Sequence, residues 1–138
     1  MPADRRSRTL IGRCACGAVE YEVADEFLYA ANCHCSACRA TTGSAFKSFA
    51  GIERDKLALT KGAGGVAIYG EASAGDFRCG TCLSFLFSIV RDGRFAHVAM
   101  GSLADLPSIR PGGHIFVGSK APWFEITDDL PQFDEYGD

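Results

Sequence analysis

The sequence predicts a mainly β fold of short antiparallel sheets, and three observations carry that prediction. Val19, Tyr21 and Val23 alternate with Glu20 and Glu22, the signature of a half-buried strand with one wet face. Ser84 to Val90 is an apolar, β-favouring run that ends at Arg91-Asp92-Gly93-Arg94, and Phe95 to Met100 resumes the pattern, so the Asp-Gly pair marks a hairpin. Sixteen glycines in 138 residues supply the turns that such a chain needs.

The remaining elements follow in chain order. Residues 1–11 read as an N-terminal tail, basic at Arg5, Arg6 and Arg8. Residues 12–133 read as a single domain, and 134–138 as an acidic C-terminal tail. Ser36 to Thr42 is the one stretch that looks helical. Leu57 and Leu59 alternate with their neighbours and give another strand. Gly62, Gly64 and Gly65 mark a loop, and Ala72 to Gly75 a second. His114 to Val117 and Trp123 to Ile126 read as late strands separated by residues 118–122. From Asp128 the chain turns acidic and carries Pro131, the pattern of a segment lying on the surface.

Composition narrows the function classes. Hydrophobic residues make up 47% and charged residues 22%, near the globular average, so one compact core is expected. The longest apolar run, Phe85 to Val90, falls far short of the ~20 residues that span a bilayer. The basic N-terminus lacks the apolar segment of a secretory signal. No membrane partner is expected, and the expected location is cytoplasmic. A net charge of −3 argues against phosphate backbones, so nucleic acid is not an expected partner.

The chemistry lies in seven cysteines grouped in three clusters: Cys14/Cys16, Cys33/Cys35/Cys38 and Cys79/Cys82. An odd number without a secretory signal speaks against a disulfide framework. A redox pair at Cys79 and Cys82 would leave five cysteines unexplained. Tetrahedral zinc needs thiolate sulfurs roughly 3.8 Å apart, which close spacing on tight turns supplies. The arithmetic favours four plus three. Cys14, Cys16, Cys79 and Cys82 close a structural zinc site, while Cys33, Cys35 and Cys38 leave a fourth position for water or substrate. His34 or His114 could instead close the trio. Of the three histidines, His114 is the candidate pocket residue, His97 reads as a satisfied sheet residue, and His34 as a surface or supporting side chain.

With these residues in view, the sequence resembles the glutathione-dependent formaldehyde-activating enzyme family, also called the GFA or CENP-V domain family. The motifs that carry the resemblance are Gly12-Arg13-Cys14-Ala15-Cys16-Gly17-Ala18-Val19, Cys33-His34-Cys35-Ser36-Ala37-Cys38-Arg39 with Thr42-Gly43, the Cys79/Cys82 pair, His114-Ile115, Lys120 and Trp123. The resemblance implies short β-sheets stapled by zinc, with two zinc ions per chain partitioned as above. It implies carbon–sulfur lyase chemistry, the joining of a small thiol such as glutathione to formaldehyde or the reverse. One departure is visible: Leu83-Ser84 follows Cys82 where the family usually has glycine and then Ser or Thr.

A substrate carrying carboxylates needs cations near the trio. Arg39 is the first candidate, with Lys47 and Lys120 behind it, and Phe46 and Trp123 could wall a pocket. The competing reading is a non-enzymatic zinc-stapled binding module, which predicts a closed second site and no concave pocket.

Overall fold

The computed structural model describes residues 8–136. Arg5 and Arg6 of the basic cluster lie outside them, as do the last two residues of the acidic tail. The described residues form ten strands and one α-helix in two sheets. The first sheet is antiparallel and has the order β1-β2-β5, with β1 at Thr9–Arg13, β2 at Glu20–Ala24 and β5 at Leu57–Lys61. The second has seven strands in the order β10-β3-β4-β9-β8-β7-β6. These are β3 (Tyr29–Cys33), β4 (Lys47–Glu53), β6 (Val66–Glu71), β7 (Ala74–Cys79), β8 (Phe85–Val90), β9 (Phe95–Ala99) and β10 (His114–Ile115). Only β10 against β3 is parallel; the other pairings are antiparallel. The helix α1 covers Ser36–Thr42.

The alternation read from β2 is real: Val19, Tyr21 and Val23 are each at most 1% exposed. With Leu10 and Leu57 they pack on Ile52, Phe77, Leu86, Phe87, Ile89, Ala96 and Val98 of the large sheet, and Cys14 and Cys79 belong to the same core. Strand pairing begins at Thr9, inside the stretch read as a tail, because Leu10 fills the core. The β8–β9 hairpin forms as expected, with Val90 opposite Phe95 and Arg91, Asp92 and Gly93 all at positive φ.

The late strands depart from expectation. Only His114–Ile115 is a strand, because Phe116 turns to φ 57 and residues 117–119 form a 3-10 turn. Trp123–Ile126 is not a strand. Lys120 Nζ donates to the carbonyls of Ala121 (3.1 Å) and Phe124 (2.5 Å) and holds a turn there instead. The segment after Asp128 hugs the fold: Phe133 N donates to His114 O and Val117 N to Phe133 O, which covers the β10 edge. No helix among the described residues is long and apolar enough to cross a membrane.

Two glycines sit under tyrosine rings across a strand pair. Gly12 pairs with Tyr21 and Gly51 with Tyr29. A Cβ on Gly12 would lie 2.0 Å from the Tyr21 ring, and one on Gly51 2.3 Å from the Tyr29 ring. Tyr21 cannot yield: it is fully buried, edge-on to Phe87, with its hydroxyl 2.6 Å from Ser102 Oγ. Tyr29 is half-buried and can move, at the cost of its 2.7 Å contact with His97 Nε2. Gly12→Ala is therefore expected to cost about 3 kcal/mol and Gly51→Ala about 1–2 kcal/mol, read by urea unfolding. Equal losses would contradict this account of the two rings.

Candidate metal centres and an adjoining cavity

The outer four cysteines converge where the two sheets meet. Cys14 and Cys16 flank the β1–β2 turn, and Cys79 and Cys82 flank the β7–β8 turn. Their sulfurs all lie within 4.8 Å of one another. Cys14 to Cys16 is 3.7 Å and Cys16 to Cys79 is 3.8 Å, which is the spacing of thiolates around tetrahedral zinc and far beyond a disulfide bond. Backbone amides point at the sulfurs: Val19 N donates to Cys14 Sγ at 3.2 Å, and Thr81 N and Cys82 N donate to Cys79 Sγ at 3.3 and 3.4 Å. Ser84 ties the two turns, accepting from Ala15 N at 2.9 Å and standing 3.0 Å from Cys82 Sγ. Its hydroxyl, aided by backbone donors, draws the Cys82 thiol down to about 5. Burial opposes ionisation of Cys14, yet Val19 N–H and the neighbouring thiols outweigh it and the thiol is lowered. Leu83, at the position where glycine is usual, takes φ 65 and is exposed, so the turn keeps a glycine-like conformation at a strain of about 1 kcal/mol.

The trio is local. Cys33 ends β3, Cys35 is the N-cap of α1 with its Sγ accepting from Cys38 N at 3.2 Å, and Cys38 lies in the first turn. Their sulfurs also lie within 4.8 Å of one another. A hydrogen bond from Cys38 lowers the Cys33 thiol to about 6 against its burial, with Lys47 adding to the effect, and the Cys38 thiol is raised in return. Arg78 donates to Thr41 O and fastens α1 to β7.

No histidine joins the trio: among the described residues the group is three cysteines and nothing else. Strand alternation turns Cys33 and His34 to opposite faces. His34 is not a surface residue but is fully buried, with Nε2 2.8 Å from His114 Nδ1, and His114 Nε2 lies 3.0 and 3.2 Å from the Asp128 carboxylate. Asp128 thus orients His114, which accepts from His34. Burial, then the nearby His114 and Lys120, hold the His34 ring below its ordinary value. The sequence offered no signal that Asp128 would reach back to His114.

The other candidates separate. Arg39 lies on α1, with its Nε buried and without a hydrogen-bond partner. Lys47 stands opposite Cys33 in the sheet register, with Nζ 4.8 Å from the Phe85 ring centre and 3.4 Å from Ser88 Oγ. Lys120 is consumed by the turn it holds. Phe46 packs on His34 and Phe124, whereas Trp123 is 70% exposed and walls nothing.

The face of the large sheet that carries Cys33 also carries Tyr29, Ala31, Lys47, Phe49, His97 and Ser88, since cross-strand partners share a face. Two cavities lie against it. One, of about 370 Å³, is lined by Tyr29, Ala31, Phe49, Ile115 and Phe133 with Arg91 and His97; the other, of about 470 Å³, by Lys47, Asp76 and Ser88, and it shares Arg91 and His97. His114 lines neither, being spent on His34 and Asp128.

His97 stacks on Phe49 with centroids 4.5 Å apart and meets Tyr29 Oη at 2.7 Å, the satisfied sheet residue expected of it. Burial, with Lys47 and Arg91 nearby, lowers it from the usual 6.5 to about 4. The folded state therefore binds fewer protons than the unfolded one between those values, so stability is full above the higher value and falls as pH drops toward the lower. His97→Gln removes this dependence. The stability gap between wild type and variant should shrink by about 1–2 kcal/mol on going from about pH 7 to about pH 5. Parallel urea-unfolding profiles would rule it out.

No curated protein matches the chain significantly. Among solved structures, the crystal structure of a Rhodobacter sphaeroides protein from a structural-genomics programme is similar, with 28% identity and a TM-score of 0.57, over 74% of this chain and 92% of that one. The family model described as glutathione-dependent formaldehyde-activating enzyme matches residues 9–119, a span that holds both cysteine groups and ten strands. Four cysteines that could hold one metal ion, three that could hold another, and the match across most of the chain place it together: this chain belongs to the glutathione-dependent formaldehyde-activating enzyme family.

Proposed function

We propose that the chain is a zinc-dependent carbon–sulfur lyase or thiol-adduct synthase. It joins a small thiol, glutathione or one like it, to an aldehyde such as formaldehyde, or takes the adduct apart. Cys14, Cys16, Cys79 and Cys82 hold a structural zinc. Cys33, Cys35 and Cys38 hold a second zinc with a position left for the substrate sulfur. The observation that carries this reading is the inequality of the two donor sets, four cysteines against three with no histidine among the described residues to complete the second. Three protein donors are the pattern of zinc sites that bind substrate.

Bound zinc would supply positive charge that favours the thiolate form of a substrate thiol at neutral pH. The chain's own residues position the rest. The end of β3 and the first turn of α1 fix the three sulfurs, and Lys47, opposite Cys33, offsets their negative charge. Arg39, with Nε lacking a protein partner, offers a contact to a substrate carboxylate. In the addition a C–S bond forms at the carbonyl carbon and the thiol proton ends on the carbonyl oxygen; cleavage reverses both changes. The cavities on the sheet face that carries Cys33 favour a small molecule over a protein partner.

Cobalt substitution tests this. Adding a small thiol to the cobalt-loaded protein should change the sulfur-to-cobalt absorption, and the thiol with formaldehyde should yield an S-hydroxymethyl adduct faster than in free solution. An unchanged spectrum together with no rate enhancement would reject the proposal.

A further inference from the structure

The cavity of about 370 Å³ has a chemistry that differs from that of a site for a small polar thiol. Its walls are Tyr29, Ala31, Phe49, Ile115 and Phe133 with Tyr136 at the rim, and its volume falls in the range of ligand pockets, about 300–1,000 Å³. Its polar groups are few. His97 and Tyr29 Oη are 2.7 Å apart and satisfy each other. Arg91 is the single permanent charge on the wall, and its guanidinium makes no ion pair among the described residues, resting instead 5.0 Å from the Phe95 ring. His97 stays neutral at physiological pH, because burial and the two nearby cations hold it at about 4. The neighbouring cavity shares Arg91 but adds a carboxylate to its own wall: Asp76 accepts from Ser88, which accepts from Lys47.

Register places this cavity relative to the trio. Ala31 is two residues from Cys33 on the same face of β3, about 7 Å away, and Tyr29 is about 13 Å away. Ile115 pairs directly with Cys33. The cavity therefore begins one residue pair from the trio and ends at Arg91, which follows Val90, the partner of Phe95, one residue pair beyond the level of Tyr29.

We propose that this cavity binds the apolar, singly anionic arm of a substrate, an aromatic or branched carboxylate whose carboxylate reaches Arg91. Taking from the preceding reading only the position of the sulfur, the substrate is a thiol, or its aldehyde adduct, in which an apolar spacer separates sulfur from carboxylate by about 13 Å or more. A tripeptide with several charged groups would leave some of them unanswered on these apolar walls.

Calorimetry on the zinc-loaded full chain tests it with four probes: 4'-methylbiphenyl-4-propanoate, its carboxamide, 4'-(mercaptomethyl)biphenyl-4-propanoate and glutathione. The sulfur-free acid should bind about tenfold tighter than its amide, the weight of a charge-assisted contact. Arg91→Gln should erase that difference, and Ala31→Leu, which fills the cavity, should weaken the acid further. Arg91 is exposed, so its variant folds. The mercaptomethyl acid should bind tighter than either the sulfur-free acid or glutathione. A sulfur-free acid that does not bind, binds no better than its amide, or binds the Arg91→Gln variant equally would overturn the proposal. A mercaptomethyl acid no tighter than its sulfur-free counterpart, with the Arg91 dependence intact, would support the cavity's ligand class and remove the sulfur from the trio.

Discussion

Cys79→Ser is expected to leave no cooperatively folded population at ordinary temperature. Cys79 is fully buried at the end of β7, within the core, and its sulfur accepts two backbone amides. Its neighbour Cys16, 3.8 Å away in space, is 63 residues away in sequence and extends from the β1–β2 turn. With a metal bound, the four-cysteine group would cross-link the two sheets, and metal binding at such a site contributes about 10–16 kcal/mol to folding. That is as large as the whole stability of an ordinary domain, about 5–15 kcal/mol. Serine neither ligates zinc comparably nor replaces the buried sulfur. Loss of the near-ultraviolet circular dichroism and of a cooperative melt is the expected result, and a variant melting within a few degrees of wild type would overturn the structural role.

Cys35→Ser should behave in the opposite way, folded but inactive. The trio spans only residues 33–38, so closing it around a metal removes little chain entropy from the unfolded state. Cys35 is also the N-cap of α1, and serine is a favoured cap that accepts from Cys38 N as the thiol does. The local structure therefore survives, with a stability change of about 1 kcal/mol or less, while one of three metal donors is lost. Thiol-adduct formation should fall by at least about a hundredfold, since even the loss of a group supporting a metal ligand costs up to that much. Equal destabilisation by Cys35→Ser and Cys79→Ser would dissolve the division of labour between the two groups.

These contrasts rest on features of different legibility. The three cysteine clusters were readable because spacing of one or two residues forces sulfurs together wherever the chain goes, whereas the meeting of Cys14 and Cys16 with Cys79 and Cys82 is made by the fold. Strand β2 and the β8–β9 hairpin were readable because alternation and an Asp-Gly turn are local signals. The central strands β3 and β4 were not: Tyr29-Ala30-Ala31-Asn32-Cys33 and Lys47-Ser48-Phe49-Ala50-Gly51 carry small and polar residues, and their pairing comes from neighbours distant in sequence. Phe116, a non-glycine residue at positive φ, broke a strand pattern that composition could not reveal, and Leu83 took the positive φ of the glycine it stands for. The cavity face escaped for the same reason. Tyr29, Phe49, Arg91 and His97 come from four separate segments, and only the sheet register gathers them. Asp128, read as part of an acidic surface segment, orients His114 through a contact that spans fourteen residues.

The central claim is one closed metal site and one open one, and metal content measures it most directly. After exhaustive dialysis without strong chelator, wild type should hold two zinc ions per chain, Cys35→Ser should hold one, and a small thiol added to wild type should protect the second zinc from a chelating dye. A wild type holding a single zinc, with the three thiols of Cys33, Cys35 and Cys38 freely titratable, would contradict it.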